Sequence, residues 1–201
     1  MIATLLTSAV RLFTGARGRW PEGVFESDRP RVFFANHTSN LDFVVLWSVL
    51  PPAIRRRTRA AAARDYWMGG PVRRWLASSV FNVVLIERKQ VTRANNPVRE
   101  LGAVLSGGDS IIIFPEGGRY SEPDPMPFKS GLFHLAQDHP EAELIPVWID
   151  NLNRVLPKGE LLAIPFICSV TMGPPISRLP DETKDAFAER ARAAVMALRT
   201  P

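Results

Sequence analysis

The 201-residue sequence has little cysteine and no long apolar segment. Its single cysteine, Cys168, excludes an intrachain disulfide and a cysteine-cluster metal site, and is typical of a reducing compartment. No window of about 18 residues is apolar and free of charge, so we predict no transmembrane helix. With 46% hydrophobic and 22% charged residues, the composition also excludes a disordered or collagen-like chain. The sequence therefore predicts a globular domain with its own hydrophobic core.

Lysine is scarce: 21 of the 25 basic residues are arginine. The charge is also uneven, because residues 1–100 carry a net +9 and residues 101–201 a net −4. Arginine binds phosphate through a planar fork, so a phosphate-bearing surface is a natural partner for the first half. A GC-rich genome would also favour arginine, but it would not explain the difference between the halves.

Residues 1–25 are predicted to form an amphipathic segment that associates with a membrane, ahead of a catalytic domain at 26–201. Apolar residues recur at helical spacing from Ile2 to Val10, and Leu12 and Phe13 extend the stripe before the arginines and Trp20. No positive region precedes the apolar stretch, so we expect no secretory signal. Such a helix can lie in a membrane interface or pack on the protein's own core, and the sequence leaves both open.

The rest of the chain alternates between strand and helix patterns. We predict strands at 31–35, 83–86, 110–114, 144–149 and 161–170. We predict helices at 40–50, 60–81 (mostly helical, with a break near 69–71), 95–105, 129–137 and 181–198. This alternation predicts a single α/β domain with a mostly parallel or mixed central sheet flanked by helices. Ligands of such folds collect at loops beyond the strand ends, which is where the unusual residues lie.

The segment Asn-His-Thr-Ser-Asn-Leu-Asp at 36–42 follows the first buried strand. A neutral imidazole at His37 can take a proton from a hydroxyl, and the Asp42 carboxylate can fix its tautomer. Alternatively, Ser39 and Asp42 match a helix capping box, and His37 could be a loop histidine without a chemical role.

A second strand runs into Phe-Pro-Glu-Gly-Gly-Arg at 114–119. The glycines would let a ligand approach the backbone, and Arg119 could hold a phosphate while Glu116 accepts from a ligand hydroxyl or orients the arginine. An ordinary polar turn is the alternative. Arg88, in Ile-Glu-Arg at 86–88, could supply another phosphate contact or simply be solvated.

Together and in this order, these segments resemble the motifs of the glycerolipid acyltransferase family, typified by 1-acylglycerol-3-phosphate acyltransferase. The family's NHxxxxD, IDR, FPEGTR and VPV blocks correspond here to NHTSNLD (36–42), IER (86–88), FPEGGR (114–119) and IPVWI (145–149). The PFKSG stretch at 127–131 is also similar to the segment that follows FPEGTR. The resemblance implies a direct acyl transfer from acyl-CoA or acyl-carrier protein to a lysophospholipid hydroxyl, with no metal or other cofactor.

The resemblance implies that His37 is the general base and that Asp42 orients it. The implied substrate-binding residues are Glu116, Gly117, Arg119, Arg88, Arg64 and Lys129. Gly118 departs from the family's threonine, and Arg64 stands where members often have a lysine that could stabilise the oxyanion. These departures leave the acceptor open, and a non-phosphate acceptor such as a lyso-aminolipid is an alternative.

The resemblance also implies a peripheral enzyme on the cytoplasmic side of a bacterial cell membrane. No nucleic-acid partner is expected, and the oligomeric state is not predicted. Two competing hypotheses are a basic module that binds anionic surfaces or nucleic acid without catalysis, and a thioesterase that uses the same histidine with water. The first would use Arg55, Arg56, Arg57, Arg59, Arg73 and Arg74.

Overall fold

The computed structural model describes residues 2–87, 90–92, 95–120, 122, 124–150 and 168–199. The helices are α1 Ile2–Thr14, α2 Asp42–Val49, α3 Pro52–Arg56, α4 Arg64–Trp67, α5 Pro71–Trp75, α6 Pro97–Ser106, α7 Gly131–Asp138 and α8 Lys184–Met196, with a π-helical turn at Leu76–Val80 after α5. The strands are β1 Arg17–Arg19, β2 Arg31–Ala35, β3 Thr58–Ala63, β4 Val84–Ile86, β5 Ser110–Ile113, β6 Glu143–Asp150 and β7 Ser169–Met172.

The described strands form one seven-stranded sheet in the order β1-β7-β6-β2-β5-β3-β4. Neighbouring strands pair in parallel except β6 and β7, which pair antiparallel. Helices cover both faces of this mixed sheet. The predicted α/β class and sheet type are therefore confirmed.

The core lies on both faces of the sheet, because successive side chains of a strand point to opposite sides. On β2, Phe33 packs into a cluster with α2, whereas Phe34 packs into a second cluster with α6, α7 and α8. Both phenylalanines are fully buried. The last helix, α8, buries one apolar face: Phe187, Ala191 and Val195 are fully buried.

Helix α1 packs one side on the core and exposes apolar residues on the other. Leu6 and Val10 contact the cluster around α2. Leu5, Leu12 and Phe13 are 66%, 84% and 71% exposed, which the packing on the core does not explain. Among the described residues, every helix is too short or too polar to cross a bilayer.

The helix predicted at 60–81 is wrong in its first part. Thr58–Ala63 is strand β3, which pairs with β5 on one side and β4 on the other. Its exposure alternates from residue to residue, as expected of a strand. Alanine favours helices, so the local sequence predicted a helix. Pairing with the neighbouring strands decided the extended conformation instead. Most of the strand predicted at 161–170 lies outside the described residues; β7 begins at Ser169.

The sheet brings the motifs together at one edge. The strands β2, β5, β3 and β4 are parallel neighbours, so their carboxyl ends meet. His37 follows β2, the 114–120 loop follows β5 and Arg64 follows β3. Segments far apart in sequence therefore share one corner of the molecule.

Candidate functional site

The strongest pair at this edge is His37 and Asp42. Nδ1 of His37 lies 2.7 Å from Oδ2 of Asp42, and the Asp42 side chain is fully buried while that of His37 is 22% exposed. The His37 ring stacks on Phe114, with 4.2 Å between ring centroids and 17° between the planes. The imidazole is therefore held on an edge and on a face.

Asp42 also bonds to the backbone of the loop before α2. Its Oδ2 also accepts hydrogen bonds from the backbone N–H groups of Thr38, at 2.6 Å, and Ser39, at 2.8 Å. Helix α2 itself begins at Asp42, and its N-cap, Leu41, makes no side-chain cap bond. The same oxygen thus closes the loop before α2 and holds the histidine.

This arrangement decides which nitrogen of His37 carries the proton. An oxygen that already accepts two backbone N–H groups acts as an acceptor toward the ring, so Nδ1 of His37 donates. Nε2 then has a free lone pair, as a general base requires. The buried carboxylate also stabilises the imidazolium that forms when Nε2 takes a proton.

A cavity of about 270 Å³ opens beside His37. Much of its lining is apolar and comes from α2, α4, α6 and α7. Representative lining residues are Phe43, Trp67, Val98, Leu101, Leu132 and Leu135. Polar side chains also line it: His37, Asn40, Tyr66, Arg119 and Lys129, of which Arg119 and Lys129 carry positive charge. The cavity therefore suits an amphiphilic molecule with an apolar chain and an anionic end.

The 114–120 loop forms one wall of the cavity through Gly117, Gly118 and Arg119. Gly117 has a φ of +72°, a conformation that favours glycine. A Cβ at Gly118 would meet no atom within 4 Å apart from its chain neighbours, so this wall has open space beside Arg119. Arg119 is half-buried and has no ion-pair partner within the part of the chain that the structure describes.

Lys129 supplies a second positive charge at the same wall. Its backbone N–H donates to the Pro115 carbonyl at 2.9 Å, and its exposed side chain lies over Gly117. A Cβ at Gly117 would collide with the lysine ammonium and its stem, so glycine allows this approach. The loop and the lysine together present two cations to the cavity.

Glu116 occupies a different place from the one that its predicted role suggests. It is only 4% exposed and is absent from the cavity lining. Its Oε1 accepts from the backbone N–H of His37 at 2.7 Å, and its Oε2 accepts from that of Met126 at 3.1 Å. Burial raises the pKa of Glu116, while these two N–H groups and the nearby His37 oppose the rise.

The structure does not bring Arg64 into the cavity lining. Arg64 is exposed, and its guanidinium donates to the Leu85 carbonyl at 3.3 Å. Arg88 lies outside the described residues, so its predicted phosphate contact stays a prediction.

Asn36 has a structural role that its motif did not indicate. Asn36 is buried; its Nδ2 donates to the Ile149 carbonyl at 2.9 Å and its Oδ1 accepts from the Ile149 N–H at 2.8 Å. The amide thereby ties the residue before His37 to β6. Only its place at the end of a buried strand could have signalled this role.

The arginine cluster that could have supported a nucleic-acid module is largely used within the fold. Arg55 lies over the Trp47 ring and donates to two carbonyls, and Arg57 donates to the Gly108 carbonyl. Arg59 pairs with Asp109 at 2.6 Å. These contacts favour a structural role for the cluster. Within the described part of the chain, no three metal-ligating side chains gather into a metal site.

Comparison with known proteins supports the family that the motifs predicted. A family model described as Acyltransferase matches residues 21–150. The 1-acyl-sn-glycerol-3-phosphate acyltransferase alpha of Mus musculus is 30% identical over 180 residues, which cover 87% of this chain and 60% of the mouse protein. The 1-acyl-sn-glycerol-3-phosphate acyltransferase of Saccharomyces cerevisiae is 27% identical over 130 residues, covering 64% of this chain and 41% of the yeast protein.

A solved structure shares the fold. The crystal structure of the 1-acyl-sn-glycerophosphate acyltransferase PlsC from Thermotoga maritima matches with a TM-score of 0.76 and 19% identity, covering 98% of this chain and 76% of that one. The chain spans 60% of the length of the mouse relative. Because the family model covers more than half of the sequence, the chain belongs to the acyltransferase family, as its motifs predicted.

Proposed function

We propose that the protein transfers a fatty acyl group from a thioester donor to the free hydroxyl of a lysophospholipid such as 1-acylglycerol-3-phosphate. The observation that carries this proposal is the His37–Asp42 pair at one end of an apolar cavity that also holds Arg119 and Lys129. A base, an apolar chain site and cations are the three features that this reaction needs. The names of the mouse and yeast relatives support the same acceptor.

The reaction follows from the geometry of the pair. Nε2 of His37 takes the proton of the acceptor hydroxyl as the oxygen attacks the thioester carbonyl, and Asp42 stabilises the imidazolium. The tetrahedral intermediate then expels the thiolate, which takes the proton from Nε2. One ester bond forms, one thioester bond breaks, and the histidine returns to its neutral form.

The cations bind the acceptor. Arg119 can hold a phosphate bidentately, and the ammonium of Lys129 adds a point charge. Gly117 lets the Lys129 ammonium approach the loop closely. A lyso-aminolipid is the alternative acceptor, since the open space at Gly118 would also admit a different headgroup. The donor is acyl-CoA or acyl-carrier protein.

The decisive experiment incubates the protein with labelled acyl-CoA or acyl-carrier protein and a mixture of lyso-lipids, and identifies the product by mass spectrometry. We expect a diacyl phospholipid whose formation is abolished by His37→Ala at unchanged fold. Thioester consumption that does not depend on a lyso-lipid would identify a thioesterase instead. Unchanged turnover in His37→Ala would remove the base assignment.

The phosphate contact has a separate test. Arg119→Ala should raise the KM for a phosphorylated acceptor, because the charge that binds the phosphate is lost. Lys184→Ala is the matched control, since it removes one exposed positive charge at the start of α8. An equal KM in Arg119→Ala and in the control would contradict the contact.

We also propose that the protein binds the membrane surface peripherally, on the cytoplasmic side, through α1. The exposed Leu12 and Phe13 can enter the lipid interface while Leu6 and Val10 hold the helix on the core. Arg11 is exposed beside them and can meet anionic headgroups. This docking would bring an amphiphilic acceptor to the protein without removing it fully from the leaflet.

Flotation with phosphatidylglycerol vesicles tests this surface. The double variant Leu12→Ser with Phe13→Ser should lose flotation without a change in thermal stability. Leu179→Ser is the control, because Leu179 is 53% exposed and lies near α8, away from α1. Flotation of the double variant equal to that of the control would contradict the proposal.

A further inference from the structure

Glu116 holds the backbone of His37 and does not line the cavity. Its carboxylate is 4% exposed and both of its oxygens accept backbone N–H groups, one from His37 and one from Met126. The 2.7 Å bond to His37 is short, as is typical of a charged acceptor. The carboxylate is therefore occupied before any substrate arrives.

Two other residues of the 114–120 loop also contact His37. The Tyr120 N–H donates to the His37 carbonyl at 3.0 Å, so both polar backbone groups of the histidine are bonded to the 114–120 loop. Phe114 stacks on the imidazole face. With Asp42 on Nδ1, the histidine is fixed through its backbone, its ring face and its ring edge.

The second bond of Glu116 positions the other wall of the cavity. The Met126 N–H donates to Oε2 of Glu116, and three residues later the Lys129 N–H donates to the Pro115 carbonyl. The segment that carries the Lys129 ammonium is thus fastened to the loop at two points. Glu116 consequently links the segment of the base to the segment of a cation.

Burial makes this use of a carboxylate costly. Removing an ionised group from water is unfavourable, and burial raises the pKa of Glu116. Two backbone N–H groups compensate, because they have few other acceptors in a loop between strands and helices. A carboxylate that only contacted the acceptor could remain exposed at the cavity wall, as Lys129 does.

We propose that Glu116 is a positioning residue that acts through His37, holding the base and the Lys129 segment in register, rather than a ligand of the acceptor. This inference rests on the proposed function for its kinetic consequence. It predicts that loss of the two Glu116 hydrogen bonds moves His37 relative to the reacting atoms. A displacement of about 1 Å can cost about 10²-fold in rate.

The kinetic test uses Glu116→Gln, which preserves shape but replaces one acceptor oxygen by an NH₂ group that faces a backbone N–H. We expect kcat to fall by about 10²-fold while the KM for the acceptor stays within about twofold. Glu116→Asp keeps the charge but shortens the reach, and should show the same pattern with a smaller loss. A raised KM at unchanged kcat in either variant would overturn the proposal in favour of an acceptor contact.

A spectroscopic test does not depend on activity. The chain has three histidines, His37, His134 and His139, and the resonances of the last two serve as internal controls. In ¹³C–¹H spectra of the imidazoles at pH 8, Glu116→Gln should shift or broaden the His37 signal and leave the other two unchanged. An unmoved His37 signal in the folded variant would overturn the positioning role. If the protein transferred no acyl group, this result would still stand, so the two proposals fail separately.

Discussion

Replacing Asn36 by leucine should destabilise the protein strongly, although the side chains are similar in size. Strand β2 pairs with β6 as far as Ala35 and Val147. Beyond that point the chain turns toward His37, and the Asn36 amide bonds both backbone groups of Ile149 in place of a strand. An amide can do this because it carries one donor and one acceptor group, as a peptide does.

The magnitude follows from the two bonds. Leucine would leave the N–H and C=O of Ile149 buried without their partner, at about 1–3 kcal/mol each, so we expect a loss of about 2–6 kcal/mol in the free energy of unfolding. Such a loss is a large share of the stability of a domain of this size. Asn40→Leu is the control, because Asn40 is exposed in the same loop and should change stability by about 0.5 kcal/mol or less.

Asn36→Asp adds a dependence on pH with a definite sign. When ionised, the new carboxylate would be buried and would point an oxygen at the Ile149 carbonyl, which lies 2.9 Å from the present nitrogen. Its pKa in the folded protein would therefore rise above the unfolded value of about 3.9. The folded state then binds more protons, so the stability of the variant increases as the pH falls through the raised pKa. The protonated acid restores one donor and one acceptor.

Urea unfolding followed by circular dichroism at pH 8 and at pH 5 measures both effects against the wild type. We expect Asn36→Leu to lose a similar amount at both pH values, and Asn36→Asp to lose less at pH 5. A change of less than about 0.5 kcal/mol in the free energy of unfolding for Asn36→Leu would refute the stabilising role of the Asn36–Ile149 hydrogen bonds. A greater loss for Asn36→Asp at pH 5 than at pH 8 would refute the reasoning about its pKa.

Three further expectations concern packing and backbone. Gly117→Ala should lower the free energy of unfolding in urea by about 1–2 kcal/mol, because Gly117 has a φ of +72°. Gly118→Ala places its methyl group in open space and should change stability by about 0.5 kcal/mol or less. Equal losses in the two variants would contradict the loop geometry. Phe187→Ala should cost about 3–5 kcal/mol because Phe187 is fully buried, and Phe13→Ala, at a residue 71% exposed, should cost little. Burial raises the pKa of Cys168 to about 12, so iodoacetamide at pH 8 should label the thiol only after unfolding; rapid labelling of the native protein would contradict its burial.

Local patterns predicted much of the fold because burial on both faces leaves a clear trace. Continuous apolar runs predicted β2, β5 and β6, and the helix pattern at 181–198 predicted α8. The strand Thr58–Ala63 could not be predicted this way. Its four consecutive alanines favour a helix, and only pairing with β4 and β5 makes them extended.

The site divides along the same line. His37 and Asp42 are five residues apart, so one loop suffices to join them and the sequence could suggest the pair. Glu116 is 79 residues from His37, and its motif indicated a polar group without indicating its direction. Whether the Glu116 side chain contacts a ligand or the backbone of His37 depends on which strands are neighbours in the sheet.

By itself, then, the sequence predicted the reaction class that we propose, because its motifs, in this order along the chain, resemble those of the glycerolipid acyltransferase family. Only the tertiary structure decided which polar side chains line the cavity and which ones hold it together. Asn36 and Glu116 are buried and do not line the cavity, whereas Arg119 and Lys129 do. The physical reason is that a buried polar group is assigned by its partners, and those partners lie on distant segments that meet only when the sheet forms.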